Sequence, residues 1–512
     1  MAQHILAYDF GTGGIKASLY DVEGTCLAER FASYETRYPR AGWHEQSPMT
    51  WWQAVVESTN ALLAETDVDR GEIACCGLSG HSLGVVPIDE AGRLVREYTP
   101  IWSDSRPDRQ VPEFFQKVPE PTWYGLTGNG FPPSLYSVFK IMWLRDHEPE
   151  VFGRIDKVIG TKDFINFKMT GRAVTDYSYA SGSGVYDLLA WDYSDELIAA
   201  GGLPREIFPD VVPSTEVIGE LTAEAAEALG LPRSVRVVAG GVDNSCMALG
   251  ARSFREGRAY NSLGSSSWIA VASERPLLDE ASRPYVFAHV VPGMFTSAVG
   301  VFSTGSSFRW VREQLCKDLD ARAEREGGDV YDLMGARAAE AGLGAHKLLF
   351  NPSLAGGSSL DASQNIRGAF LGLDLGHTQA DVIRAAMEGI AMSLRLALDA
   401  IRKLTTLGGE MVVVGGGSRS ELWRQITADL YGMDIVKTNV DQQAAALGAA
   451  AVAAVGAGLW KDFSKLDDVH QVQSISRPVA ANQRAYEKLL PIFVRAGEFQ
   501  SRLGDLLAEV DL

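Results

Sequence analysis

Two short segments hold the residues best suited to grip an anion. The first runs Asp9-Phe10-Gly11-Thr12-Gly13-Gly14-Ile15-Lys16, and the second Leu263-Gly264-Ser265-Ser266-Ser267. Each is a turn of glycine and hydroxyl residues set between two apolar runs. Small turn residues leave backbone N–H groups open, and open N–H groups bind anions. In the first segment Asp9 ends a strand, where a carboxylate can hold Mg²⁺ through water. Gly11, Thr12 and Gly13 would cradle phosphate, and Lys16 would neutralise its charge. For either segment alone, a plain hairpin with a glycine turn is the alternative. Their occurrence in both halves of the chain points to two domains closing on one polyphosphate.

Three further segments place reactive residues at strand ends. Gly80-His81-Ser82-Leu83-Gly84 fits the GxSxG nucleophile elbow, which would make Ser82 an acyl-transfer nucleophile. That elbow needs a strand before it and a helix after it. Residues 73–78 supply the strand, but Val85-Val86-Pro87-Ile88 reads as extended, so a glycine-rich strand end lining a cleft is the better reading. Val237-Val238-Ala239-Gly240-Gly241-Val242-Asp243-Asn244 puts a carboxylate past a buried strand, at the head of a helix. There Asp243 would either cap the helix or act as general base towards a sugar hydroxyl attacking a γ-phosphoryl group. Val412 to Ser420 runs a strand through Gly415-Gly416-Gly417 into a helix over 421–431, a turn compatible with a nucleotide. Trp423 and Gln425 on that helix read as packing residues. Lys16 stands where a dinucleotide fingerprint needs its third glycine, and Gly-Lys occurs nowhere, so the Rossmann and Walker A loops are excluded. The eight histidines are scattered and form no metal-ligand pattern.

The elements that must carry these residues alternate strand-like and helical, which indicates α/β architecture. A length of 512 residues calls for two or more cores. The first hairpin spans residues 5–8 and 15–20, helices are expected over 50–63 and 319–328, and strands over 235–239 and 411–414. Pro-rich and aromatic loops are expected to fill 99–136. Asp243 to Ala251 and Asp441 to Ala449 both read Asp-x5-Leu-Gly-Ala. With the paired turns, this echo favours a duplicated α/β unit with domains over 1–252 and 253–512. A net charge of −18 argues against nucleic acid or an anionic membrane as partner. Five cysteines without a CxxC fit reduced thiols in the cytoplasm. Met1-Ala2-Gln3-His4 leads straight into a strand, which leaves no signal peptide. The uncharged run over 444–460 falls short of the ~20 residues that span a bilayer. It reads as a buried helix in close contact with its neighbours.

Taken together the motifs resemble the FGGY family of carbohydrate kinases, on its xylulokinase side. The likeness runs in order through Asp9-Phe-Gly-Thr with Lys16, Glu45-Gln-Ser-Pro-Met-Thr-Trp51-Trp52 and Ile101-Trp102-Ser103-Asp104-Ser105-Arg106. It continues through Thr175 to Ser181, Gly240 to Asn244, Gly264-Ser265-Ser266 and Gly415 to Ser420. The resemblance implies two ribonuclease H-like domains of the actin and sugar-kinase type around a central cleft. It implies ATP-dependent, Mg²⁺-assisted phosphorylation of a small ketose, D-xylulose first among the candidates and ribulose, fuculose, erythritol or glycerol as alternative acceptors, and a homodimer as a common state. By the same resemblance Asp243 is the base, and Asn244, Trp102, Asp104 and the His81-Ser82-Leu83 element serve the sugar. Asp9, Gly11, Thr12, Gly13 and Lys16 serve the phosphates, with Gly264 and Ser265 closing from the other domain. Gly305, Gly416 and Gly417 border the nucleotide, and Glu421 lies near the adenosine. The chain departs from the family's Gln-Met-His at His81-Ser82-Leu83, from its Gly-Glu-Arg loop at Gly356-Gly357-Ser358, and from a common glutamate at Gln443. A serine hydrolase using Ser82 and a non-kinase actin-like ATPase are the competing classes.

Overall fold

Two seven-stranded mixed sheets with helices packed on them frame the computed structural model, which describes residues 3–510. Met1 and Ala2, where the expected absence of a leader begins, lie outside the described residues. From one edge, the first sheet runs Val217–Glu220, Arg236–Val238, Ile73–Gly80, His4–Phe10, Gly14–Asp21 and Cys26–Ser33, with Gly241–Val242 also paired to Ile73–Gly80. The second runs Val472–Ser476, Asp434–Thr438, Glu410–Val414, Ala259–Leu263, Ser267–Ser273, Phe295–Val301 and Tyr285–Ala288. The first six strands of each sheet follow one pattern of neighbours: antiparallel, parallel, parallel, antiparallel, antiparallel. One α/β unit therefore stands twice in the chain.

Both expected hairpins form. His4–Phe10 pairs with Gly14–Asp21 as far as Phe10 against Ile15, and Ala259–Leu263 pairs with Ser267–Ser273 as far as Leu263 against Ser267. The two turns are what remains between them. The central strands are buried on both faces, as helices on either side of a sheet require. Helix Ala444–Gly456 is buried along most of its length. Its alanines let it lie against the first sheet, where Cys75 Sγ reaches Ala453 O at 3.6 Å. Its N-terminal half lies against helix Asp243–Gly250. Among the described residues no helix is long and apolar enough to cross a membrane.

One expectation fails. Residues 99–136 are not all loop: they contain helices Gln110–Phe115 and Glu120–Thr127. Their prolines, Pro112 and Pro121, fall in the first turn, where no intrahelical N–H is needed, so proline here opens a helix and does not break one. Phe114, Trp123 and Tyr124 then build an aromatic core with Tyr136 and Phe139, the last from helix Ser137–His147. Helix Lys317–Glu326 forms as expected, solvated except at Leu319 and Ala323.

Candidate active site

The first hairpin sets Asp9 and Lys16 opposite one another, and Ser79 flanks Asp9 from the neighbouring strand. Ser79 Oγ donates to Asp9 Oδ1 at 3.2 Å. Burial pushes the Asp9 carboxyl above the usual carboxylate range, against the pull of Lys16 and that hydroxyl. In the turn, the Gly11 amide is bound to Gly14 O at 3.0 Å, and Gly11 O accepts from the Tyr34 hydroxyl. The amides of Thr12 and Gly13 have no acceptor among the described residues, and both residues are exposed. Trp102 Nε1 donates to Thr12 Oγ1 at 2.8 Å, and Gln46 Nε2 donates to Thr12 O at 2.7 Å. The turn is thus held from behind while its amides stay open.

Strand Ile73–Gly80 delivers the next group of candidates. His81 N–H donates to Phe10 O at 3.0 Å, so this segment lies beside the hairpin. No helix follows Ser82, and the elbow that would make it a nucleophile is absent. The His81 ring is buried against Phe10 and Trp51 with both nitrogens unpartnered among the described residues, and burial lowers its pKa to about 4, so it is a neutral imidazole. Two expected sugar contacts are committed elsewhere. Leu83 takes a left-handed backbone conformation, φ 62°, which turns its side chain into the aromatic core, 1% exposed. Asp104 is fully buried, held by Arg106 Nη2 at 2.6 Å and by the His44 amide at 2.7 Å. Ser82 and Trp102 keep accessible surface, Trp102 at 37%.

Asp243 opens helix Asp243–Gly250 as its first residue; Val242 holds the cap position. The Asn244 amide and side chain both donate to Asp243 Oδ1, at 2.8 and 3.1 Å, and Oδ2 has no donor among the described residues. Burial raises this carboxyl to about 7, with the Asp9 charge adding to the rise. A buried cluster braces it from behind; of its members only Asp176 and Ser178 fall in a segment quoted above, and Lys162 and Asp163 carry no signal in the sequence. Lys162 Nζ bridges Asp163 at 2.5 Å and Asp176 at 2.9 Å and also donates to Ala239 O. Asp176 accepts from the Ser178 hydroxyl, whose oxygen in turn accepts the Val242 amide at 3.0 Å. This fully buried pair of carboxylates fixes the backbone on which Asp243 stands.

The second half contributes a cavity of about 1240 Å³. Gly264, Ser265, Gly305, Gly416, Gly417 and Glu421 all line it; Asp9, Thr12, Lys16 and Asp243 do not. The amides of Gly264, Ser265 and Ser266 have no acceptor among the described residues. Helix Gly305–Leu315 begins at this turn, with Gly305 N–H bonded to Gly264 O at 3.0 Å. A Cβ on Gly305 would lie 2.3 Å from that oxygen, so only glycine lets the helix start this close. Trp423 and Gln425 line the cavity as well; Trp423 is also buried in the core, as its reading as a packing residue expects, and Gln425 Nε2 donates to Asp429 Oδ1 at 2.9 Å. Phe308 and Tyr331 complete its aromatic walls, and the buried Trp423 Nε1 has no partner among the described residues. An aromatic slot with an unused donor beside a row of open amides fits a nucleotide. For Mg²⁺, no group of three His, Cys, Asp or Glu side chains converges among the described residues. A cation carried by phosphate and water with one protein carboxylate, Asp9, is the arrangement these residues fit.

The sequence models of the FGGY family of carbohydrate kinases match residues 4–250, as N-terminal domain, and 259–457, as C-terminal domain. The chain is 29% identical over 509 residues to a xylulose kinase of Lactococcus lactis subsp. lactis (strain IL1403), covering 99% of each. Its fold matches the crystal structure of xylulose kinase from Rhodospirillum rubrum with a TM-score of 0.88, at 27% identity, over 98% of this chain and 100% of that one. It matches gluconate kinase from Lactobacillus acidophilus equally well, at TM-score 0.88 and 25% identity, over 98% and 99%.

Proposed function

The chain belongs to the FGGY family of carbohydrate kinases, and on that premise we propose that it transfers the γ-phosphoryl group of ATP to D-xylulose, giving D-xylulose 5-phosphate and ADP. The observation that carries the mechanism is Asp243. Its Oδ1 is occupied by Asn244, its Oδ2 is free, and its carboxyl titrates near neutrality. Oδ2 takes the proton of the acceptor hydroxyl as that oxygen attacks the γ-phosphorus, and ADP leaves. Asn244 holds the carboxylate in line. The open amides of Thr12 and Gly13, with Lys16, receive the phosphates from one side. The Gly264 to Ser266 amides receive them from the other, and the cavity walled by Phe308, Tyr331 and Trp423 takes the adenosine. Bound Mg²⁺ would neutralise charge on the phosphate oxygens, held by Asp9 through water.

The acceptor site favours a neutral sugar. Trp102, Ser82, His81 and Asn244 offer an indole, a hydroxyl, a neutral imidazole and an amide. The buried cations nearby are engaged: Lys140 by three backbone carbonyls, Arg106 by Asp104 and Glu45, Lys162 by Asp163 and Asp176. An aldonate such as gluconate, the second reading because a gluconate kinase shares the fold equally well, would find both lysines engaged and Arg106 buried out of reach of its carboxylate, the unpartnered Nη1 included. ATP consumption with a panel of ketoses, polyols and gluconate tests the choice. D-xylulose should give the highest kcat/KM; a preference for gluconate would overturn the neutral-acceptor reading.

Two further expectations belong to this proposal. Five free cysteines suit a reducing cytoplasm. Exposed Phe499, Leu503, Leu506 and Leu507 on helix Ala480–Ala508 give a homodimer an apolar face, which light scattering would detect.

A further inference from the structure

We propose that Lys140 is a positioning residue for the acceptor site, tying the His81-Ser82-Leu83 element to the Trp102 loop and through it to the phosphate turn. The proposal rests on the reading of His81, Ser82 and Trp102 as acceptor contacts. Lys140 lies on helix Ser137–His147, fully buried, and forms no ion pair among the described residues. Its Nζ donates to Leu135 O at 2.6 Å, Leu83 O at 2.9 Å and Trp102 O at 3.4 Å. An ammonium has three donors, and here each meets a carbonyl from a different segment. Placing a charge in the interior without an ion-pair partner is unfavourable, and burial lowers Lys140 to about 7, with the Arg106 charge adding to the fall and the Asp104 charge opposing it. A leucine or methionine would fill the same volume without that cost, so packing does not account for a lysine.

The three carbonyls show what the charge holds. Leu83 has φ 62° without being glycine, a strained backbone conformation for a residue with a Cβ. The Lys140 bond holds its carbonyl in that orientation, and the turn sets where His81 and Ser82 end up. Trp102, held by its carbonyl, donates its indole N–H to Thr12 Oγ1 at 2.8 Å. A run of direct bonds therefore leads from the acceptor element through Lys140 and Trp102 to the turn assigned to phosphate. The cavity assigned to the nucleotide has no residue in this run.

The test compares Lys140→Met and Lys140→Gln with the parent enzyme, varying acceptor and ATP separately and recording ATP hydrolysis without acceptor. In Lys140→Met the acceptor KM should rise about tenfold or more while the ATP KM stays within about twofold. The ratio of acceptor-free hydrolysis to transfer should rise with it. Lys140→Gln, which keeps donors for two of the carbonyls, should fall between the two. A folded Lys140→Met with the parent's acceptor KM, or with both KM values raised in parallel, would overturn the proposal. If Lys140→Met does not fold, an unchanged acceptor KM in Lys140→Gln overturns it instead. A parent enzyme that prefers another acceptor sinks the D-xylulose assignment alone, and the Lys140 comparison is then made with that acceptor.

Discussion

A Cβ added at Gly250 would lie 1.8 Å from Ala444 O, and one added at Gly448 would lie 1.9 Å from Cys246 O. Each glycine is the seventh residue after the aspartate of an Asp-x5-Leu-Gly-Ala motif, and each carbonyl belongs to the third residue after the aspartate of the other copy. The two copies therefore grip each other reciprocally, as the halves of a symmetric dimer would. Their aspartates have parted. Asp243 is the first residue of its helix and, among the described residues, meets no cation and keeps one oxygen free. Asp441 stands three residues before its helix, between Arg419 at 3.3 Å and Lys437 at 3.8 Å. The paired hairpins differ in the same sense. Counted from Gly11 and Gly264, Asp9 corresponds to Ser262 and Lys16 to Ile269. Duplication preserved what holds the halves together, while the charged groups assigned to phosphoryl transfer stayed in the first copy.

The largest expected effect separates the two aspartates. Asp243→Asn should lower kcat by about 10³-fold, the scale on which a lost general base acts, while nucleotide affinity stays within a fewfold. Asp441→Asn removes a half-buried group already paired with Arg419 and Lys437 and should change kcat by no more than about threefold. Comparable losses in both variants, measured by steady-state kinetics and nucleotide titration, would break the division of labour.

The reciprocal grip is the next largest. Gly250→Ala and Gly448→Ala each force a methyl into a backbone carbonyl and should cost about 1–3 kcal/mol in denaturant unfolding. Because the contact is reciprocal, the two losses should be alike. Gly497→Ala, in the last helix with nothing within 4 Å of the added carbon, should instead stabilise by up to about 1 kcal/mol. A large loss at one of the two motif glycines and none at the other would mean that the helices are not joined as described.

The echo and the hairpins were legible in the sequence because each is a local pattern, an apolar run broken by glycine at fixed spacing. Lys140 was not. It sits inside Val138-Phe139-Lys140-Ile141-Met142, where it looks like an interruption of an apolar helix, and its partners are main-chain carbonyls 5, 38 and 57 residues away. No side-chain pattern encodes such a contact. Leu83 and Asp104 were misplaced for a related reason. A resemblance assigns a position to the sugar, but the backbone angle at Leu83 and the buried guanidinium beside Asp104 decide where the side chains point. The helices within 99–136 were missed because proline reads alike whether it breaks a helix or opens one.

The smallest effect is a pH dependence that only one copy should show. With the Asp243 carboxyl at about 7, roughly a tenth of the enzyme carries the ionised base at pH 6 and nine-tenths at pH 8. Acceptor kcat/KM should therefore climb about tenfold per unit at low pH and level off above 7. Asp441→Asn should leave that midpoint in place. Stability should run the other way. A carboxyl whose pKa is raised on folding binds its proton more tightly in the native than in the unfolded chain, so stability falls as pH rises from about 4 to 7. Asp243→Asn removes that titration. It should be the more stable protein above pH 7, by on the order of 1 kcal/mol since the side chain keeps some contact with water, and no different near pH 4. A kinetic midpoint near 4, or an Asn variant no more stable than its parent at pH 8, would mean that the cleft does not hold Asp243 in its proton-accepting range. The contrast with the ion-paired Asp441 would then lose its chemical content.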